Sequence, residues 1–284
     1  MWPTPLVKLN LPGNIWAKLE YYNPFSRSIK DRTAYYLFQE ALEKGSKEII
    51  ESSSGNFAIA ISILSILYNM KATIYLPETS AEETRLLLKF LGINVVVNGK
   101  STIESLPLIE EYVKKKKDAY HPNQFYNLTN VRAHMETTAK EIDEQLSSIN
   151  LKPDIIIAGI GTGGHITGIS RYMKAKYKDV KIVGVLPAEY ETIPGIRRQR
   201  IGDYIVKSSD VDKVIEVTLE ESIKGMQEVA RTSGLLVGIS SGATVAALNK
   251  LEREEKEDKI IVLIFPDDIF KYISILKSQL LKGE

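Results

Sequence analysis

The chain contains no cysteine. That absence removes disulfides, thiolate nucleophiles and cysteine-ligated metals together. Histidine is scarce. His121, His134 and His165 are the three in 284 residues, and they fall in no spacing used for zinc. Carboxylates form no cluster of metal-loop pattern. Neither sign of charge is in excess, because 37 basic residues against 36 acidic ones leave a net +1. Such a balance gives nucleic acid or an anionic membrane surface nothing to be drawn by. Long apolar runs are missing too, so no segment reaches the length of a membrane span, and no basic-then-apolar leader opens the sequence. A cytoplasmic location is the expectation. Internal repeats, low-complexity stretches and long linkers are also absent. Chemistry must therefore come from Lys, Ser, Thr, Asp, Glu or Tyr, or from a bound organic cofactor.

What is present suffices for one large or two moderate cores, at 44% hydrophobic and 26% charged over 284 residues. Apolar runs of strand length alternate with segments of helical period. Strands are expected at 6–9, 15–19, 49–50, 72–76, 93–97, 124–125, 155–158, 181–186, 213–217 and 259–265. Helices are expected at 30–44, from 57, at 80–91, from 103, at 130–146, after Gly164, and at 219–232, 243–255 and 269–281. Residues 189–203 read as a loop carrying Arg197, Arg198 and Arg200. Alternation of this kind implies parallel sheet with right-handed crossovers. Sites in such folds lie beyond the C-terminal ends of strands. Residues 52–56, 159–165, 238–242 and 267–268 all occupy such positions.

The sequence DIIIAGIGTGGHITGISRYMK, residues 154–174, is the most informative stretch. Strand, glycine-rich turn and helix follow one another. Backbone N–H groups in such a turn are not screened by Cβ atoms, and the helix start behind them adds partial positive charge. The physical reading is a phosphate cup. Gly159, Gly161 and Gly164 also fit the dinucleotide pattern G-x-G-x-x-G, with Glu189 after the next strand, so a dinucleotide site stays open. A turn needed only for tight strand–helix packing is the remaining reading. No Gly-Lys-Ser/Thr follows, so a P-loop is unsupported.

Two further features bear on chemistry. Lys30 opens a helix, where a cation is disfavoured electrostatically. A lysine held there has its neutral amine favoured, and a neutral amine can form a Schiff base with an aldehyde. Residues 51–56, Glu-Ser-Ser-Ser-Gly-Asn, form a polar turn at a helix start, suited either to a carboxylate or to simple capping. His134 reads as a packed or hydrogen-bonded histidine.

Taken as an ordered set, these residues resemble the cysteine synthase family of fold-type II pyridoxal-phosphate (PLP) enzymes. The markers are Thr4–Leu9, Asn23-Pro24, Ser28-Ile29-Lys30-Asp31-Arg32, Ser54-Gly55-Asn56, Gln124-Phe125, Gly161-Thr162-Gly163-Gly164 and Gly238–Ala243, and the likeness runs on to Tyr272. The resemblance implies an α/β fold of two αβα domains with parallel or mixed sheets and the active site in the cleft between them. Residues 1–135 would form the N-terminal domain and 136–284 the C-terminal one, with the first strands able to pack on the latter. Lys30 would be the Schiff-base lysine and the general base. Gly161, Thr162, Gly163, Gly164 and His165 would hold the PLP phosphate, and Asn56 the ring oxygen. Ser53, Ser54, Gly55, Asn56 and Gln124 would receive the substrate carboxylate. Gly195 would border the site.

The implied reaction is β-replacement on an activated L-serine with sulfide, giving L-cysteine, in a homodimer. Cystathionine β-synthesis and serine or threonine dehydration are the alternatives within the family. A nicotinamide-dependent dehydrogenase and a PLP-binding protein without turnover are the alternatives outside it. Arg197 stands where relatives using O-phosphoserine place a phosphate-binding arginine, and a solvated loop charge is the other reading. The sequence departs from the family at Phe57 and His165, both usually threonine, and at Ser52-Ser53, usually Pro-Thr. Asp268 stands where a serine usually faces the pyridine nitrogen. The chain also ends without the C-terminal module of some relatives, so effector control through such a module is not expected.

Overall fold

The computed structural model describes residues 3–198 and 205–281. The chain divides into two compact units, residues 1–22 with 131–284, and residues 23–130. It opens with β1 (Leu6–Lys8) and β2 (Asn14–Leu19), an antiparallel hairpin in which Val7 pairs with Ala17.

Residues 23–130 follow as a four-stranded parallel sheet in the order β5-β4-β3-β6. The elements are α1 (Lys30–Glu43), β3 (Glu48–Ser52), α2 (Asn56–Leu67), β4 (Lys71–Leu76), α3 (Glu82–Phe90), β5 (Asn94–Val97), α4 (Leu106–Lys115) and β6 (Ala119–Tyr120). β3 is buried at all five positions, as a central parallel strand covered on both faces must be. Ala34, Leu37, Phe38 and Ala41 of α1 meet Phe57, Ala58, Ile61 and Leu64 of α2 in this unit's main core. β6 is two residues long and pairs Ala119 with Glu48 and Tyr120 with Ile49. The strand expected at 124–125 is not formed. Asn123 has φ +51° and its carbonyl accepts from the amides of Tyr126 and Asn127, so the chain turns there.

The helix expected at 130–146 is built in three pieces. These are α5 (Thr129–His134), a π-turn at Met135–Ala139, and α6 (Lys140–Ser147). Then come β7 (Ile155–Gly159), α7 (Gly164–Lys176), β8 (Lys181–Pro187), β9 (Lys213–Val217), α8 (Leu219–Ser233), α9 (Ile239–Asn249), α10 (Arg253–Lys256), β10 (Ile260–Phe265) and α11 (Ile273–Leu280). Their sheet has the order β1-β2-β10-β7-β8-β9, parallel except for β1. β7 (IIIAG) and β10 (IIVLIF) are apolar throughout and occupy the middle. β9 (KVIEV) buries only Ile215 and Val217 and lies at the edge. α8 begins with a capping box between Thr218 and Glu221 and ends at Gly234, φ +67°.

Residues 1–22 belong to this sheet because β2 pairs in parallel with β10 along its whole length, Asn14 with Ile260 through Leu19 with Phe265. The observed division at 130/131 lies five residues before the one expected at 135/136 (135 − 130). A buried polar knot fastens the hairpin. Lys18 is fully buried, and its Nζ donates to Thr4 O at 2.7 Å, Glu141 Oε2 at 2.7 Å and Gln145 Oε1 at 2.9 Å. Glu141 Oε2 also accepts from Thr4 N at 3.0 Å. Among the described residues, no helix is long and apolar enough to cross a membrane, and no cluster of three His, Asp or Glu could hold a metal.

Candidate active site

In the unit formed by residues 1–22 and 131–284, β7 delivers the glycine turn. Ile160 N donates to Val185 O at 2.9 Å, and Arg197 N donates to Ile160 O at 2.8 Å, so the entry to the turn is pinned from both sides. Gly163, at φ +88°, is the N-cap of α7, and Thr167 N donates to its carbonyl at 3.0 Å. A Cβ on Gly161 would lie 2.5 Å from Gly195 O, and one on Gly163 would overlap Val206 Cγ2. Both positions must therefore be glycine, for close approach in one case and backbone conformation in the other. Among the described residues, no loop or cap hydrogen bond uses the amide of Gly161, Gly163 or Gly164 as donor. α7 has no acidic residue in its first turn and carries Lys174 and Lys176 in its last. That arrangement leaves the helix start to an external anion.

His165 is buried in the first turn of α7, its ring 6.0 Å from that of His134 and nearly perpendicular to it. His134 Nδ1 lies 2.9 Å from Thr138 Oγ1 in the π-turn. Gly195, at φ +84°, and the partly buried Arg197 sit beside the turn. Arg198 is committed elsewhere, donating to Pro187 O and pairing with Glu216 at 3.0 Å. Arg200 lies outside the described residues.

Past the end of β10, Asp267 and Asp268 are both buried. Asp268 Oδ1 accepts from Phe270 N at 3.1 Å and caps the short turn Ile269–Tyr272. Asp267 Oδ2 accepts from the Tyr272 hydroxyl at 2.5 Å. Burial, then the Asp267 charge, pushes the Tyr272 phenol well above its ordinary range, so it stays a donor. Of the segment 238–242, expected to open a helix beginning at 243, residues 239–242 lie within α9 itself, and Gly238 is its N-cap.

In the unit of residues 23–130, Lys30 is the first residue of α1 and is half-buried. The loop before it is locked by two side chains of the Ser28–Arg32 marker whose roles were not read from the sequence. Asp31 accepts the amides of Phe25 at 2.6 Å and Ser26 at 2.8 Å, and also the Ser26 hydroxyl. Ser28 Oγ accepts from Lys30 N at 3.1 Å and lies 2.7 Å from Ser26 Oγ. The backbone of the lysine is thereby fixed at the start of α1. A serine two residues before the lysine and a carboxylate just after it were the available signal.

The 53–56 turn follows β3. Ser53 N donates to Tyr75 O at 3.1 Å, Ser52 Oγ to Thr102 O at 2.7 Å, and Gly55 is the N-cap of α2, whose first residue is Asn56. Ser54, Gly55 and Asn56 are half-exposed, while Ser53 is buried. Phe57 is 1% exposed and belongs to the core between α1 and α2, so its ring serves packing. Gln124 is also buried. Its carbonyl accepts from Asn130 Nδ2 at 2.9 Å, and Asn130 Oδ1 accepts from Thr33 Oγ1 at 2.9 Å. Asn130 thus ties the Gln124 loop to α1, another role not read from sequence. Gln124 Oε1 is buried without a hydrogen-bond partner. A buried amide oxygen without a partner in a polar loop is suited to a polar ligand.

These features fit pyridoxal phosphate. A dianionic tail matches the glycine cup, an aldehyde matches a tethered lysine, and an amino-acid carboxylate matches the α2 start and Gln124. Comparison with known proteins agrees. A family model described as "Pyridoxal-phosphate dependent enzyme" matches residues 1–267. The cysteine synthase of Buchnera aphidicola subsp. Schizaphis graminum (strain Sg) is 37% identical over 309 aligned residues, spanning 99% of this chain and 95% of that protein. Among solved structures, a hydrogen sulfide-producing enzyme from Fusobacterium nucleatum superposes with a TM-score of 0.84 at 33% identity, covering 95% of both chains. An O-acetylserine dependent cystathionine β-synthase from Helicobacter pylori gives 0.85 at 30% identity, covering 95% of this chain and 94% of that one.

Proposed function

The chain belongs to the pyridoxal-phosphate dependent enzyme family, and from that premise we propose that it is a cysteine synthase, replacing the β-substituent of an activated L-serine with sulfide. Its curated relative of that name supports the reading. The observation that carries it is the cup at 161–165, where Gly161 cannot take a Cβ without meeting Gly195 O at 2.5 Å.

Pyridoxal phosphate, when bound, supplies an aldehyde for the amino group and a ring that delocalises charge from the α-carbon. The protein supplies the rest. The amides of Gly161, Thr162, Gly163, Gly164 and His165 hold the phosphate at the start of α7. The Lys30 amine would hold the aldehyde and would serve as general base for the α-proton. Ser53, Ser54, Gly55 and Asn56 at the start of α2, with Gln124, hold the substrate carboxylate, and Asn56 reaches the ring oxygen. Gly195 keeps the approach beside the cup narrow. Asp268 would serve the ring nitrogen. Arg197 takes the phosphate of O-phosphoserine, whose fork geometry a guanidinium matches.

The protein works as a cytoplasmic homodimer in this reading. The Helicobacter pylori likeness keeps a second reading in view, with homocysteine in place of sulfide. Purified protein is to be assayed with O-acetylserine and O-phosphoserine, each against sulfide and homocysteine. Cysteine formed from sulfide, with Arg197→Ala losing more on O-phosphoserine than on O-acetylserine, is the expected result. Cystathionine as the main product replaces the first reading with the second. Equal losses on both serine esters remove the Arg197 assignment.

A further inference from the structure

β3 outruns its neighbour. β6 pairs only Ala119 with Glu48 and Tyr120 with Ile49, so the β6 side of β3 has no strand beside it at residues 51 and 52. Amides along a strand point alternately to its two sides. Glu48 N donates to Asp118 O on the β6 side at 3.2 Å, and Ser53 N to Tyr75 O on the β4 side at 3.1 Å. Ser52 N, four residues after Glu48 N, therefore faces the side where no strand continues. Its partner there is the Glu51 side chain, whose Oε1 accepts at 2.9 Å.

His121 is the first residue past β6, and its Nε2 lies 3.4 Å from the same Glu51 oxygen, at ion-pair distance, with both side chains buried. Glu51 Oε2 has no hydrogen-bond partner. A fully buried carboxylate with one oxygen bare is a costly way to fill space, and an apolar side chain of like volume would pack at lower cost. What the pair joins is informative. Glu51 stands two residues before Ser53, and His121 three before Gln124. Ser53 and Gln124 are the buried members of the carboxylate set, and Gln124 Oε1 also lacks a partner. All of these residues lie within the unit 23–130.

We propose that Glu51 and His121 are a pair of positioning residues for the amino-acid carboxylate site, standing in for the strand that β6 does not extend. The inference rests on the function proposed above and deepens it. Glu51 sets the direction of the Ser52 amide and so the course of the chain into 53–56. Ser52 Oγ, donating to Thr102 O at 2.7 Å, holds the same residue through its side chain. His121 carries that anchor across to the Gln124 loop, which Asn130 ties in turn to Thr33 of α1. The start of α2 and the Gln124 side chain thereby meet the substrate carboxylate as one preformed group, which spares the ordering that binding would otherwise require. Neither Glu51 nor His121 touches the substrate in this arrangement.

The test is binding of L-serine and of L-serine methyl ester to the holoenzyme, followed by the coenzyme's absorbance. The ester lacks the carboxylate charge, so the preference for acid over ester reads the carboxylate site alone. Glu51→Ala should weaken L-serine about ten-fold, the worth of one hydrogen bond to a charged group, and leave the ester nearly as before. Glu51→Gln keeps an acceptor for Ser52 N and should recover most of that loss. His121→Ala should shrink the preference too, and Glu51→Ala combined with His121→Ala by no more than the larger single change, because the two act as one. Hydrogen exchange of the 52–53 amides should quicken in Glu51→Ala and slow again in Glu51→Gln. An unchanged preference in Glu51→Ala, equal losses for acid and ester, no recovery in Glu51→Gln, or losses that add in the double variant each overturn the assignment while leaving the proposed function standing. If Glu51→Ala does not fold, an unchanged preference in His121→Ala overturns it instead. Wild-type protein that takes up no pyridoxal phosphate overturns the function reading and this inference together.

Discussion

Gly161→Ala tests the cup most directly. The added methyl carbon would stand 2.5 Å from the Gly195 carbonyl oxygen, where ordinary contact begins at 3.4 Å, and the obstacle is backbone. The turn must therefore retreat by about 0.9 Å (3.4 − 2.5), which is enough to spoil a hydrogen bond to phosphate. Each hydrogen bond to a charged group is worth about 1.5–3 kcal/mol, so losing one lowers coenzyme affinity by about ten- to a hundred-fold. Gly234→Ala is the matched control. It imposes a side chain at φ +67° with nothing within 4 Å, and so costs backbone strain alone, about 1 kcal/mol. Apoprotein is titrated with pyridoxal phosphate by fluorescence, and thermal unfolding is recorded for both variants. Gly161→Ala should lose affinity and Gly234→Ala only stability. Equal affinity in Gly161→Ala and wild type would refute the cup.

Three other expectations follow from the packing. Lys18→Met strands the Glu141 carboxylate and should cost about 3–5 kcal/mol in denaturant unfolding, whereas Lys18→Met with Glu141→Leu should recover most of the loss; a double variant as unstable as the single one contradicts the pairing described for Lys18. Burial raises the Glu40 carboxyl, but hydrogen bonds from Lys44, Asn127, Thr129 and Tyr120 prevail and lower it to about 2. Its stabilising contribution is then complete above the ordinary carboxyl value of 4.5 and fades as pH falls toward 2, so Glu40→Gln should flatten the acid limb of a stability–pH curve; parallel limbs would deny it. Asn130→Ala unties the Gln124 loop from Thr33 and should raise KM for the amino-acid substrate more than it lowers kcat, and an unchanged KM would count against the role given to that loop.

The central strands were readable because their burial is total. IIIAG and IIVLIF can be little else than the middle of a parallel sheet. The glycine turn was readable for the opposite reason, since few other contexts require glycine at both 161 and 163. β6 was missed because two residues of pairing leave no periodic trace, and 124–125 imitated a strand through composition alone. Residues 238–242 were expected to open a helix at 243, yet Ser240, Ser241 and Gly242 already lie inside a helix buried on nearly every side, where tertiary contacts override propensity. Phe57 was noted as a lost hydroxyl, whereas its ring completes a core between two helices. The difference between Asp267 and Asp268 could not be read from composition, since only the cap geometry separates them.

The partnership of Asn14–Leu19 with Ile260–Phe265 has a consequence for how the protein is made. A ribosome releases β2 first and its parallel neighbour almost last. Residues 23–130 form a contiguous body that can mature while translation continues, but the opening hairpin has to wait, with its apolar face unclaimed, for nearly the entire polypeptide. Biogenesis of this enzyme should therefore lean on chaperones at its amino end, and any truncation that removes the final strand should release the first.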